Sequence, residues 1–336
     1  MPVTKTFPQS ARDALSSMYA TELGESMKRM EDCFDLSVES TTPFIVRIDG
    51  CSFHTFTKGL HSPMDTRLTR CMVKTTIDCV EKFNAVTGYH QSDEISLVFP
   101  AANDLSDPAV AAALAASLAE KEVSEPPQKK KKQKKTVLKN HPYNGRVQKM
   151  ATVVASFASV RLNFHLMNEN WDNLDAAVAK RMKDHVAYFD GRVVACTSTR
   201  HVTDCIFWRS NFDGFRNSVS HIAQHYFSGK QLHGKSVYTQ YEMVRDQMGV
   251  ELFDEYGTDL IYGSWIKKER YQMEAPVNPV TGKIIETPVF RSRYVVGSFN
   301  FADFTMEQRI NLIMAKLVND ISVEDQALWD MKAYSR

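Results

Sequence analysis

Residues 44–99 constrain the fold of this chain more than any other stretch. They contain an apolar run that stops at Asp49-Gly50 (FIVRIDG), a run with helical spacing of apolar residues (64–83), and the sequence YHQSDEISLVF. The first run predicts a short strand, the second a helix, and the third a hairpin with acidic residues at its turn. A strand, a crossover helix and such a hairpin can place Asp49 and Asp93 side by side.

Two neighbouring carboxylates in water-accessible loops repel each other unless a cation neutralises them. Mg²⁺ prefers oxygen ligands and usually brings substrate phosphates as its remaining ligands. Two-metal phosphoryl-transfer sites are built in this way. The competing interpretation of an Asp-Gly pair is a plain turn, and an Asp at the tip of the following hairpin favours a metal site instead.

Composition limits the classes of protein that fit. With 336 residues, 43% of them hydrophobic, the chain can bury one large core or two smaller ones. A formal net charge of +1 means that any nucleic-acid-binding surface must be local. No run approaches the roughly 18 apolar residues of a membrane helix, and the N-terminus lacks the apolar core of a secretory signal. The six cysteines show no metal-binding spacing, so we expect reduced thiols in an intracellular, most simply cytoplasmic, protein with no membrane partner.

Several motifs give the chain a family resemblance. Three of them resemble the tRNA(His) guanylyltransferase superfamily: RIDG-x-x-F-H at 47–54, SDE at 92–94 and FDGRV at 189–193. Two longer stretches are similar to the guanylyltransferase-like 3′-to-5′ RNA polymerases within it: LGESMKRME at 23–31 and DGFRNSVSHIAQHYFSGKQLHGKS at 213–236. The histidine-tRNA enzymes carry a HINN-type sequence, and Phe-Arg-Asn-Ser at 215–218 stands in its place here.

The resemblance implies a fold and a domain organisation. The fold is expected to be α+β, a ferredoxin-like palm of the polymerase and cyclase type with added helices. An N-terminal helical extension (1–40) precedes the palm-like catalytic domain (41–270), and a C-terminal extension (271–336) follows it. A Lys-rich insertion near 121–142 interrupts the catalytic domain. Relatives form tetramers, so a homotetramer is expected too.

The resemblance also implies an activity. It is the addition of nucleotides to the 5′ end of tRNA, with two Mg²⁺ ions as cofactors. ATP or GTP activates the 5′ end, and the 3′-hydroxyl of an incoming nucleoside triphosphate then attacks it. The missing HINN-type sequence favours template-dependent repair of truncated 5′ ends over the addition of a single G.

By their positions in the motifs, a few residues are assigned to catalysis and metal binding. Asp49, Asp93 and Glu94 are expected to be catalytic. The metal ligands are expected to be Asp49, Asp93 and the carbonyl of Gly50, where glycine leaves the carbonyl unobstructed by a side chain.

Further residues are assigned to the substrates. The expected nucleotide-binding residues are Gly50, Phe53, His54, Lys58 and Ser92. Among them, Phe53 is expected to stack on a base and His54 to donate to a triphosphate oxygen. The expected RNA-binding residues follow one helix: Arg209, Asp213, Arg216, Asn217 and Ser220. The competing interpretations are a structural histidine, a turn-forming serine and a solvated polar face.

The chain departs from the family pattern at Ser62. Relatives often have a Lys-Pro pair followed by an acid, and the lysine contacts triphosphate, whereas this sequence reads HSPMD at 61–65. Either Lys58 or a lysine from elsewhere compensates, or triphosphate binding is weaker. Asp65 is expected to cap the next helix or to pair with a base.

The insertion has six lysines between Lys129 and Lys135 beside Pro126-Pro127. Like charges this dense repel one another and supply no core, which predicts a disordered or mobile segment. It either contacts RNA phosphates or serves as a solubilising or localisation segment.

Other segments predict elements around this core. Helices are expected at 11–33, 108–122, 146–161, 208–228, 237–248 and 305–321, with one more from Ala176 leading into Phe189. Strands are expected at 192–196, 202–207, 262–271 and 291–300. Weaker candidates for phosphate contacts are late basic residues: Lys230, Lys235, Lys267, Lys268 and Arg270.

Three other functions stay open at this point. The chain could be a tRNA(His) guanylyltransferase that adds a single G, a nucleotide cyclase with the same palm, or a non-catalytic RNA-binding relative. The FDGRV and RNSVS matches oppose a cyclase, which needs no RNA surface. Intact acids at 49, 93 and 94 oppose a loss of catalysis.

Overall fold

An antiparallel sheet organises the part of the chain that the structure describes. This computed structural model describes residues 22–122, 138–274, 287–329 and 331–334, and the isolated positions 10, 11, 13, 277, 280, 282 and 284. The strands are β1 (Phe44–Gly50), β2 (Thr87–Gln91), β3 (Glu94–Phe99), β4 (Phe189–Ala195), β5 (Ser264–Gln272), β6 (Phe290–Gly297) and β7 (Lys332–Ala333). Their order is β4-β1-β3-β2-β5-β6-β7, with every neighbouring pair antiparallel.

Helices cover both faces of this sheet. They are α1 (Glu22–Asp32), α2 (Phe53–Phe56), α3 (Thr66–Phe83), α4 (Pro108–Glu122), α5 (Val147–Met167), α6 (Ala176–Lys183), α7 (Thr199–Phe207), α8 (Phe215–Tyr226), α9 (Gly229–Leu232), α10 (Val237–Met248), α11 (Leu252–Tyr262), α12 (Met306–Met314) and α13 (Val323–Leu328). No helix among the described residues is long and apolar enough to cross a bilayer. The lysines at 129–135, and residues 12 and 14–21 of the predicted first helix, lie outside the described residues.

The first four strands have the ferredoxin-like order. β1 leads through α3 to the β2–β3 hairpin, and β3 leads through α5 and α6 to β4, which gives the spatial order 4-1-3-2. The predicted α+β palm-like fold is therefore confirmed. Because β1 and β3 are antiparallel neighbours, the end of β1 lies beside the turn of the hairpin.

Alternation along the strands divides the core between the two sheet faces. One face carries apolar side chains such as Val46 and Leu97, which pack against α3 and α5. The other face carries Ile45, Val98 and Trp265, which belong to a second cluster with residues of α7 and α12. At the end of β1 this second face also carries Asp49, so the helices that follow α7 can reach the acidic residues.

The predicted strand at 202–207 is wrong, because these residues form α7. Ser198 begins the helix, and its hydroxyl oxygen accepts a hydrogen bond from the N–H of His201 (3.2 Å). Val202 and Ile206 are both buried, and their spacing of four residues puts them on one helical face. The β-branched composition of the segment favoured a strand, but the cap and the packing outweigh it.

Two predicted helices are also interrupted or shorter than expected. The helix expected at 208–228 begins with a π-helical segment, Trp208–Gly214, and α8 ends at Tyr226. The helix expected at 305–321 ends at Met314, since the chain extends there and Leu317 forms a β-bridge with Lys268 of β5. The remaining helices predicted within the described residues are present, and Asp65 caps α3 by accepting from the N–H of Arg67 (3.0 Å).

Lys267 is not available for a phosphate contact, which corrects the expectation from its charge. Its side chain is fully buried in β5 and donates hydrogen bonds to the Val86 carbonyl (3.0 Å), the Thr87 hydroxyl (2.8 Å) and the Ala315 carbonyl. Burial lowers the pKa of Lys267 to about 7, and the charge of Asp320 partly opposes this shift. Lys267 therefore joins the edge of β2 to the segment after α12.

Replacing Lys267 with Met tests this internal role. We expect Lys267→Met to lower the free energy of unfolding by about 2 kcal/mol at pH 7, because buried acceptors lose their donor. Between about pH 7 and pH 10 the unfolded chain binds the lysine proton more tightly than the folded protein does, so the advantage of wild type over the variant should grow with pH. Urea unfolding at pH 7 and pH 9.5 measures both effects.

The matched control is Lys268→Met, which changes the next residue on the opposite side of β5. It should alter stability by less than about 0.5 kcal/mol at either pH. Equal stability of wild type and Lys267→Met, or an advantage that shrinks at high pH, would contradict the role given to Lys267.

Candidate active site

Asp49 and Asp93 meet where β1 ends against the hairpin turn. The Gly50 N–H donates a hydrogen bond to the Asp93 carbonyl oxygen (3.1 Å). Only Ser92 and Asp93 separate β2 from β3, and Ser92 has a φ of 54°, the left-handed conformation typical of tight hairpin turns. The backbone therefore brings the two aspartates together, as the sequence predicts.

Gly50 is required by packing. A Cβ atom at this position would lie 2.3 Å from Cδ2 of Phe53. The Phe53 ring in turn packs against Phe56 and Phe189, with centroid distances of 5.2 and 5.6 Å. Since Phe53 is only 4% exposed, it supports the end of β1 from the core and has little ring surface for stacking on a base.

Charge repulsion acts on this pair of aspartates. Burial raises the pKa of Asp93, and the charge of Asp49 raises it further, while a hydrogen bond with Ser92 partly offsets both effects. Within the described residues, neither aspartate has an ion-pair partner and no cluster of three or more His, Cys, Asp or Glu side chains could hold a metal ion. Two carboxylates and a neighbouring carbonyl form an oxygen-rich set, which fits a hard cation completed by ligands from outside the chain.

The acidic residues on either side of Asp49 are already neutralised. Asp49 lies opposite Asp190 of β4 and Glu94 of β3, so the three side chains share one face of the sheet. Asp190 pairs with Arg192 (3.1 Å). Glu94 accepts two hydrogen bonds from the guanidinium of Arg209, one of them 2.8 Å long. The charge that lacks a partner is therefore concentrated on Asp49 and Asp93.

A cavity of about 600 Å³ opens beside Asp93, which lines it, whereas Asp49 and Gly50 do not. Its wall is formed by α2 and the loop after it, by the turn at Ser92 and Asp93, and by one face of α8. Seven of the predicted site residues lie together along it: Phe53, His54, Lys58, Ser92, Asp93, Asn217 and Ser220. Asn217 and Ser220, which were expected to contact RNA, thus lie with the expected nucleotide-binding residues.

The other predicted RNA-binding residues form an internal ion-pair network. Arg209 contacts Glu94 and also Asp213 (2.5 Å), and Asp213 contacts Arg216. The side chain of Asp213 is only 7% exposed and that of Arg209 21%, whereas 60% of the Arg216 side chain is exposed. Arg209 and Asp213 are therefore occupied by contacts within the protein. Arg216 is the member of the network that is exposed enough to reach RNA.

Sequence reasoning missed several residues that build the site. Gln91 donates hydrogen bonds to the Ser218 hydroxyl (2.7 Å) and to the carbonyls of Gly214 and Leu260 (both 3.3 Å), which ties the hairpin to α8 and α11. His221 and His225 line the cavity from α8. Asn217, His221 and His225 follow one another at intervals of four residues. This spacing places them on one helical face and could have been recognised in the sequence.

Comparison with known proteins agrees with this arrangement. The family model of the tRNA(His) guanylyltransferases (Thg1) matches residues 24–197. An uncharacterised protein of Acanthamoeba polyphaga mimivirus is 29% identical over 311 residues, which covers 91% of this chain and 92% of that protein.

Solved structures of bacterial tRNA(His) guanylyltransferase-like proteins are similar too. The complex with ATP has a TM-score of 0.56 and 25% identity, and the match covers 74% of this chain and 87% of that one. The complex with GTP has a TM-score of 0.51 and 22% identity, with 84% and 95% covered. The match to the family model spans just over half of the sequence, and this chain therefore belongs to the tRNA(His) guanylyltransferase family.

Proposed function

We propose that this nucleotidyltransferase adds nucleotides to the 5′ end of tRNA in the 3′-to-5′ direction, with truncated tRNA as its substrate. The observation that carries the proposal is the Asp49–Asp93 pair, which has no salt bridge among the described residues and whose Asp93 lines a cavity of about 600 Å³. A cavity of this size lies in the range that holds nucleotides and other small ligands. The bacterial relatives of known structure are complexes with ATP and with GTP, which supports the same ligands here.

The proposed cofactor is Mg²⁺, with two ions as in the family pattern. The carboxylates of Asp49 and Asp93 and the carbonyl of Gly50 are the residues that would hold it. When bound, Mg²⁺ neutralises phosphate charge and lowers the pKa of an attacking hydroxyl. The raised pKa of Asp93 supports this assignment, because two like charges held together by the backbone are stabilised by a cation.

The remaining residues of the cavity wall orient the reactants. A 5′-monophosphate is first activated by ATP or GTP, which transfers its nucleoside monophosphate to the RNA and releases pyrophosphate. The 3′-hydroxyl of the next nucleotide then attacks the RNA 5′-phosphate, and AMP or GMP leaves. His54 is exposed at the cavity and can donate a hydrogen bond to a phosphate oxygen. Asn217 and Ser220 face the same space from α8. Arg216, at the exposed end of the network, can contact the RNA backbone.

The template-dependent mode is the finer part of the proposal. It rests on Phe215, Arg216, Asn217 and Ser218, which stand where the histidine-tRNA enzymes carry a HINN-type sequence. A homotetramer is part of the same proposal, and light scattering of the purified protein measures it.

The first experiment supplies a tRNA that lacks its first 5′ nucleotide and carries a 5′-monophosphate, with Mg²⁺, ATP and labelled nucleotides. The base opposite the missing position is varied. We expect the added nucleotide to follow that base, and Asp93→Asn to lower the rate at least about a hundredfold, because a metal ligand is lost. Asp246→Asn, an exposed acid on α10, should retain wild-type activity.

Each alternative gives a distinct result in this assay. Addition of one G whatever the opposing base would mean that the chain has the histidine-tRNA role. Binding of tRNA without any addition would mean a non-catalytic protein. Full activity of Asp93→Asn would overturn the assignment of the metal site.

A second experiment separates the exposed and buried members of the arginine network. We expect Arg216→Gln to weaken tRNA binding and to reduce the salt slope of the binding constant by about 1, since one phosphate contact is lost. Thermal unfolding should change little, because Asp213 keeps its contact with Arg209. Arg245→Gln, which removes an exposed arginine from α10, is the matched control and should leave the salt slope unchanged.

Arg209→Gln should behave differently from Arg216→Gln. It leaves Glu94 and Asp213 without their shared partner, so we expect a loss of about 2 kcal/mol in unfolding free energy. A large fall in the salt slope without loss of stability would instead make Arg209 a direct RNA contact.

A further inference from the structure

Histidines line the cavity from three different elements. His54 comes from α2, His61 from the loop after it, and His221 and His225 from α8. The Nδ1 atom of His225 lies 2.9 Å from the hydroxyl oxygen of Ser62 on the opposite wall. The two walls of the cavity are therefore joined by an imidazole rather than by a fixed charge.

The cavity has few permanent positive charges for a ligand as anionic as a nucleoside triphosphate. Among the described residues that line it, Lys58 is the only lysine or arginine. The carboxylates of Asp65 and Asp93 add negative charge. Asp65 is balanced by Arg67 at 2.7 Å, and Asp93 lies on the metal side. The phosphates farthest from the metal ligands therefore need positive charge from another source.

Three of the histidines are close enough to influence one another. Partial desolvation in the cavity lowers the pKa of His221, and the neighbouring His54 and His225 lower it further. Without a ligand, positive charge on His54 or His225 makes protonation of His221 less favourable. A bound polyanion acts in the opposite direction, because negative charge stabilises every imidazolium near it.

We propose that His221 and His225, together with His54, form the polyphosphate-binding wall of the cavity and that this wall takes up a proton when a nucleoside triphosphate binds. The inference rests on the proposed function for the identity of the ligand. In this proposal, His225 supplies the positive charge that is missing from the loop after α2, where Ser62 replaces the lysine of relatives. The charged groups that face the three imidazoles are Lys58, His61, Asp65 and Asp93.

Proton uptake has a measurable consequence for affinity. A ligand that binds the protonated cluster more tightly must bind better as the pH falls through the histidine range. For one proton taken up by a group whose pKa without ligand is at or below the ordinary histidine value, the dissociation constant for GTP should rise at least about tenfold between pH 6 and pH 8. Calorimetry at pH 7 in buffers of different protonation enthalpy should report an uptake of about half a proton or more.

The test uses the full-length protein with GTP and saturating Mg²⁺. We expect His225→Gln and His221→Gln each to weaken GTP binding at pH 6, and the double variant to reduce the pH dependence to less than about threefold. His233→Gln, an exposed histidine after α9 that does not line the cavity, is the matched control. Any uptake that persists in the double variant belongs to His54, to His61 or to the nucleotide itself.

A rescue variant guards against a trivial loss of folding. Adding Ser62→Lys to the double variant His221→Gln/His225→Gln places a fixed charge in the space that His225 occupies. It should restore tight GTP binding at pH 6 and also keep it at pH 8, since a lysine stays protonated over this range. Restoration of affinity together with a flat pH profile is a result that a purely structural histidine would not give.

The outcomes separate this inference from the proposed function. Tight GTP binding that is independent of pH and unaffected by the histidine variants would overturn the inference and leave the nucleotidyltransferase proposal intact. No GTP binding by wild type at any pH would overturn both. Normal pH-linked binding without nucleotide addition to tRNA would support the histidine wall and count against the proposed activity.

Discussion

The repulsion between the Asp49 and Asp93 carboxylates is the constraint on which the rest of this structure depends. The sheet register and the hydrogen bond from Gly50 to the Asp93 carbonyl hold the two side chains together, although the pair is unfavourable without a cation. Neighbouring contacts prevent the pair from moving apart. The Phe53 ring packs under Gly50, and Gln91, directly before the hairpin turn, donates a hydrogen bond to Ser218. Holding the two carboxylates together therefore lowers the stability of the folded protein, and a bound cation relieves this repulsion.

The acidic residues in register with Asp49 have a different role from the Asp49–Asp93 pair. Glu94 and Asp190 lie in register with Asp49 but pair with arginines, so they stiffen the sheet edge without adding to the unneutralised charge. Arg209 connects Glu94 to Asp213 and thereby anchors the π-helical segment to the hairpin. A motif residue such as Glu94 can therefore be essential through the geometry that it maintains as well as through direct chemistry.

The sequence allowed the local part of this arrangement to be predicted, because its signals are local. The hairpin with acidic residues at its turn (89–99), the end of the first strand at Asp49-Gly50 and the capping Asp65 each depend on a few neighbouring residues, and all three are present in the structure. Contacts between distant segments gave no comparable signal. The burial of Lys267 depends on a backbone segment almost 50 residues away, and the pairing of Arg209 with Glu94 joins residues 115 positions apart. Packing also explains why the strand predicted at residues 202–207 was wrong. Their composition favours a strand, but a helix cap and tertiary packing outweigh it.

The π-helical segment Trp208–Gly214 has a consequence for how this cavity could have arisen. A π-helical turn holds more residues than an α-helical one, so such a segment acts as an insertion within an otherwise continuous helix. One residue more or less changes the phase of everything after it by about 100°. The phase of α8 decides which of its side chains face the cavity, so a single residue gained or lost in this segment would exchange all the side chains that α8 contributes to the cavity wall at once. Substrate preference in such a protein can therefore change in one step of insertion or deletion, with no substitution at any residue that touches the ligand.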